Sequence, residues 1–146
     1  MRWRVLTVTL GVLAVVGLAA WLLAPPPTSG AGWRLDVGAT WPAPDSRDLA
    51  ATVVPYETSD AGEVGLGVTV YSSSSCAPRL RDVRIGSRAV GVEIGRGPMF
   101  VDSCTADAAP HAFGILAQRD ALPAIPFDVV VSAGERSDRA RVTELP

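Results

Sequence analysis

Residues 64–71 read Val-Gly-Leu-Gly-Val-Thr-Val-Tyr, and this octet decides the fold class. Val64, Leu66, Val68 and Val70 alternate with Gly65, Gly67 and Thr69. In an extended chain successive side chains point to opposite faces, so the four aliphatics share one face and the small residues the other. A helix would spread the same residues around its circumference. The spacing predicts a half-buried strand.

The same period recurs on both sides of the octet. Downstream, Val83 and Ile85, a Gly86-Ser87-Arg88 turn, and Val90, Val92 and Ile94 predict a hairpin over 82–94. Phe113, Ile115 and Ala117 alternate next, then Phe127, Val129 and Val131, and Val142 faces inward in the last segment. Pro110 and Gly114 count against a long helix over 106–118. Upstream, 51–56 is a short β-rich run halted by Pro55 and a polar stretch, and Trp33, Leu35 and Val37 alternate with Arg34 and Asp36. About eight short strands divided by Gly, Pro and Ser turns predict an all-β domain. The expected architecture is a small antiparallel β-sandwich, Ig-like and disulfide-closed, with a barrel as the second choice.

The N-terminus follows a different rule. Residues 5–24, VLTVTLGVLAVVGLAAWLLA, are twenty residues without a charge, preceded by Arg2 and Arg4. As a helix they would span about 30 Å, the thickness of a hydrocarbon core. The reading is a transmembrane signal-anchor helix, with residues 1–4 cytoplasmic by the positive-inside rule. Residues 25–32, PPPTSGAG, then form a Pro/Gly linker, and residues 33–146 an extracytoplasmic β domain at the cell membrane. At about 3.1 Å per residue such a linker holds the domain within roughly 25 Å of the bilayer. The alternative is a cleaved signal peptide that releases a secreted domain. Against it, the apolar run exceeds the usual core of about 7–15 residues, and the best cleavage site, Ser29-Gly30-Ala31, lies well beyond its end.

Composition removes whole classes of function. The net charge is −2, and all 13 basic residues are Arg. A mildly acidic domain lacks the clustered cations that phosphate backbones need, so no nucleic-acid partner is expected. Without Lys there is no Walker A phosphate loop, no Ser-x-x-Lys acyl transfer and no Schiff base. Without Asn there is no N-glycosylation site.

Cys76 and Cys104 are the two cysteines, and both fall in the outer segment. An even count outside the membrane predicts a disulfide, here one that encloses the hairpin between them. The run YSSSSCAPRLRDVRIGSRAVGVEI, the later CTADAAP and a Leu-Pro before a strand resemble small secreted or membrane-anchored β domains of actinobacteria. The resemblance covers about half the chain, and here Ala77 separates Cys76 from Pro78. It implies the disulfide and the compartment, and transfers no activity.

No catalytic residue, metal ligand set or cofactor is assigned. His111 is the sole histidine, no G-x-S-x-G elbow surrounds Ser72–Ser75, and His111 with Asp102 and Asp107 falls short of a zinc set. An envelope hydrolase built on His111 is the enzymatic alternative to a non-enzymatic binding domain. The most defensible patch is cationic: Arg79, Arg81, Arg84 and Arg88, with Arg96 near them. Guanidinium forks suit phosphate and carboxylate, which headgroups and envelope polymers supply. Asp82 and Glu93 share the region, and charged residues also serve to block edge-to-edge pairing. The expected partners are therefore the membrane, through residues 5–24, and an envelope component or membrane protein.

Overall fold

The computed structural model describes residues 29–36, 50–96 and 104–146. The apolar stretch 5–24 lies outside them, as do Val37 and Asp102. The strands run β1 (Ser29–Gly30), β2 (Trp33–Asp36), β3 (Thr52–Tyr56), β4 (Glu63–Ser72), β5 (Arg79–Ile85), β6 (Ala89–Gly95), β7 (Ala109–Gln118), β8 (Phe127–Ala133) and β9 (Arg136–Val142). Among the described residues no helix is long and apolar enough to cross a membrane.

Two sheets stack as a sandwich, in the orders β1-β2-β7-β4-β3 and β5-β6-β8-β9. The octet read from sequence lies in β4, which is ten residues long and paired on both sides, to β7 and to β3. Its Val64, Leu66, Val68 and Val70 join Trp33, Ile115 and Ala117 in one core. Val83, Val90, Val92, Ile94, Phe127, Val129, Val131 and Val142 supply the opposing layer. Each such side chain removed from water contributes about 1.5–3 kcal/mol before the entropy of ordering is set against it.

The wholly antiparallel sandwich expected from sequence is corrected at one pair. β6 and β8 run parallel, with Val90 opposite Val129 and Val92 opposite Val131. The cause is topological: β7, between them in sequence, belongs to the other sheet and carries the chain back, so β8 restarts in the direction of β6. Pro55 does not end its strand either; it pairs with Leu66 from within β3. β3 is an edge strand, where a missing N–H costs no ladder bond.

The sheet also reaches into the segment read as linker. Ser29 and Gly30 pair with Arg34 and Trp33. The intervening turn ends on Gly32 at φ 76°, a left-handed conformation that glycine takes without strain.

Cys76 and Cys104 are bonded, with a Cα–Cα distance of 5.5 Å. The bridge encloses β5 and β6, as expected, but it does not cross between the two sheets as the bridge of antibody domains does. It staples the loop after β4 to the loop before β7, just beyond the last rung of that ladder, Ser72 opposite Ala109. The bond therefore closes one end of the sandwich. The opposite end carries the β1–β2 turn, the β5–β6 turn and the loop from Arg119 to Pro126. Gly32, Ile85 and Ala121 approach one another there.

Candidate functional site

The cationic patch is set by a bulge in β5. Leu80 pairs with Ile94 and Asp82 with Glu93, so Arg81 is one residue more than the partner strand can match. Regular alternation from Leu80 would send Asp82 inward and Val83 into solvent. The extra residue restores the phase, and both Leu80 and Val83 are buried. Arg79, Arg81 and Arg84 are consequently all exposed.

The four arginines do not form one cluster. Arg79 lies opposite Gly95, and the Arg81 side chain lies across the same glycine, where an added Cβ would come within 2.1 Å of Arg81 Nε. Arg81 Nη2 also donates to the Arg96 carbonyl at 3.5 Å, so Arg79, Arg81 and Arg96 gather at the disulfide-closed end. Arg88 sits in the β5–β6 turn, at the far end of the hairpin. Arg84, 79% exposed, lies between and is already paired: its Nε donates to Asp82 at 2.7 Å and its Nη2 lies 4.0 Å from Glu93. Beside it a shallow depression of about 280 Å³ is lined by Asp82, Glu93, Gly91, Val130 and Ser132. Its mixed charge makes it a poor anion site.

The serine run has a structural task. Ser73 and Ser75 share hydrogen bonds with the Thr105 hydroxyl at 2.8 and 3.2 Å, and Thr105 N donates to Ser75 Oγ at 2.8 Å. Ser74 N donates to Asp107 Oδ1 at 3.3 Å, and the Thr105 hydroxyl donates to the same oxygen. These bonds clasp the two loops joined by the disulfide. Donors from Ser74 and then Thr105 hold the Asp107 carboxyl down to about 2.

Sequence reading missed the polar outer face of the larger sheet. Glu63 is 7% exposed; Arg34 grips it through Nε at 3.1 Å and Nη2 at 2.6 Å, and Gln118 Nε2 adds a third bond at 3.0 Å. The register places Glu63 opposite Gln118, and Arg34 one strand further on. Nearby, the Tyr56 ring lies over Gly65, and its hydroxyl donates to Asp36 at 2.8 Å. Burial, reinforced by that carboxylate, pushes the Tyr56 phenol up. Glycine at 65 was visible in sequence; a tyrosine from the neighbouring strand lying on it was not.

His111 sits on β7 opposite Val70, with a buried Nε2 that has no hydrogen-bond partner. Among the described residues no hydrogen bond joins it to a serine or a carboxylate, so the hydroxyl run and the histidine are not brought together. Among the described residues no group of three His, Cys, Asp or Glu could hold a metal ion.

These features define a disulfide-stabilised all-β sandwich without an evident catalytic cluster among its described residues. No protein family, curated protein or solved structure matches the chain.

Proposed function

We propose that this chain is a single-pass membrane protein whose extracytoplasmic, Ig-like β-sandwich makes non-enzymatic contacts with anionic groups of the cell envelope. The observation that carries the reading is the pairing of an uncharged apolar stretch, 5–24, with a formed Cys76–Cys104 disulfide. Disulfides persist in oxidising compartments, and a twenty-residue apolar helix leads a domain into one. The resemblance to actinobacterial secreted and membrane-anchored β domains points the same way. A contact role is supported by how the reactive residue types are used. Both cysteines are bonded, Ser73–Ser75 clasp a turn, and His111 has no partner on Nε2. Arg79, Arg81 and Arg96 remain exposed at one end.

Sealed vesicles prepared from membranes that carry the full-length chain test this reading. The protein is expected to stay in the membrane pellet through an alkaline carbonate wash. Protease added to the side that was extracytoplasmic is expected to remove residues 33–146. Loss of the chain to the wash, or protection of the domain from that side, would contradict the proposal.

A further inference from the structure

A processing signal and the start of the fold meet at one peptide bond. Ser29-Gly30-Ala31 places small residues one and three positions before the bond to Gly32, the pattern a signal peptidase accepts. In the structure these residues are β1 and the first position of the β1–β2 turn. The core begins immediately afterwards, at Trp33, which is 6% exposed. A cut at Ala31–Gly32 therefore removes β1 alone and leaves β2 to β9 and the whole described core. A cut at Trp33–Arg34 would take Trp33 from that core.

Shape, and not access, protects the bond. Ala31 is exposed at a hairpin tip, the kind of place where chains are ordinarily nicked. A peptidase groove, however, takes its substrate as an extended strand and bonds to the backbone. Here that backbone is already engaged. Ser29 and Gly30 pair with Arg34 and Trp33, and the Gly32 carbonyl accepts from Gln118 N at 3.0 Å. Gly32 itself has φ 76°, far from the extended range. Gly30 lies so close to the Trp33 indole that a Cβ would fall 2.8 Å from Cε2. β2 is held in turn on β7, with Trp33 opposite Ala117, so the hairpin is fixed to the sheet.

From the coincidence of small-residue pattern, core boundary and paired backbone we infer that Ala31–Gly32 is a latent processing site closed by folding. Pairing of β1 with β2 keeps the domain joined to residues 5–24. When β1 parts from β2, a peptidase that takes small residues hydrolyses the bond. The C–N bond breaks, the hydroxyl of water goes to the Ala31 carbonyl carbon and its proton to Gly32 N. The rate follows the fraction of chains in which β1 is open. This inference rests on the membrane-anchored reading and adds the step that would release the domain from its anchor.

Digestion of the full-length chain by a purified signal peptidase in detergent micelles, read by mass spectrometry, tests it. The wild-type chain is expected to resist at Ala31–Gly32. Gly30→Val drives a branched side chain into the Trp33 indole. It is expected to be cut about tenfold faster or more, giving a product that begins at Gly32. Adding Ala31→Leu to that variant puts a large residue before the bond and is expected to restore resistance. Amide exchange at residues 33–34 reads whether β1 has parted, and exchange in β4 reads whether the sandwich stands. A wild-type chain cut as fast as Gly30→Val would overturn the closure. A variant whose β1 has parted but whose bond survives would overturn the processing site. Gly30→Val that changes neither exchange nor cutting would contradict the close approach on which the closure depends. Cutting that rises only with loss of β4 protection would place the closure in the whole sandwich and overturn the role of β1. Loss of the chain to the carbonate wash contradicts the anchor instead, a result distinct from all of these.

Discussion

Tyr56 and Gly65 show how one absent side chain sets the chemistry of another. A Cβ at position 65 would come within 2.3 Å of the Tyr56 ring, so Gly65→Ala must displace the ring and its bond to Asp36. The loss is expected to be about 1–3 kcal/mol, read from denaturant unfolding. Because the folded phenol is raised above 10.0, it contributes stability in full below that value and loses it as pH climbs through the folded value. Ultraviolet titration, read against Tyr56→Phe, is expected to show Tyr56 ionising later than a free tyrosine; Gly65→Ala should bring it back toward 10.0. Asp107 behaves oppositely. Its depressed value means the clasp is intact above 3.8 and is lost as pH falls toward about 2, which loop-specific exchange would detect. His111→Phe replaces a buried nitrogen without a partner by carbon, so stability is expected to hold or rise; a loss above about 1 kcal/mol would reveal a partner for that nitrogen.

At the scale of elements the β5 bulge is the most testable feature. Deleting Arg81 would leave Arg79 out, Leu80 in, Asp82 out and Val83 in, a regular strand, so the deletion is expected to cost less than about 1 kcal/mol. Deleting Val83 removes a core side chain and is expected to unfold the hairpin. The disulfide is the other lever. Replacing Cys76 and Cys104 by Ser reopens a loop of 28 residues and is expected to cost about 3–4 kcal/mol in thermal or denaturant unfolding. Alternation made β4, β6 and β8 readable, because each presents one aliphatic face to one core. The same rule obscured β5. Leu80 and Val83 are three apart, which looks like a break in period two until an extra residue is allowed between them. β1 was obscured for another reason: Ser29 and Gly30 carry no apolar signal, and only their pairing with Arg34 and Trp33 marks them as strand.

For the whole molecule, sequence carried the class of fold, while pairing across the sheets determined the surface. The aliphatic periodicity specified two layers and a core, and the cysteine count specified a closed loop. Register did the rest. It brought Arg34 and Gln118 onto Glu63, and it sent Arg88 to the end opposite Arg79 and Arg81, dividing a patch that reads as continuous along the chain. A compact domain with one end closed by a disulfide and one sheet reaching almost to an apolar stretch is suited to being held close to a surface.

The central claim is that this disulfide-closed sandwich remains joined to residues 5–24 at a membrane. Intact mass of the protein recovered from its native membranes, before and after reduction, tests it most directly. The account predicts a species that retains residues 5–24 and is lighter by about two daltons before reduction, the two hydrogens lost on forming one disulfide. A mass that begins near Gly32, or a species with two free thiols, would contradict it.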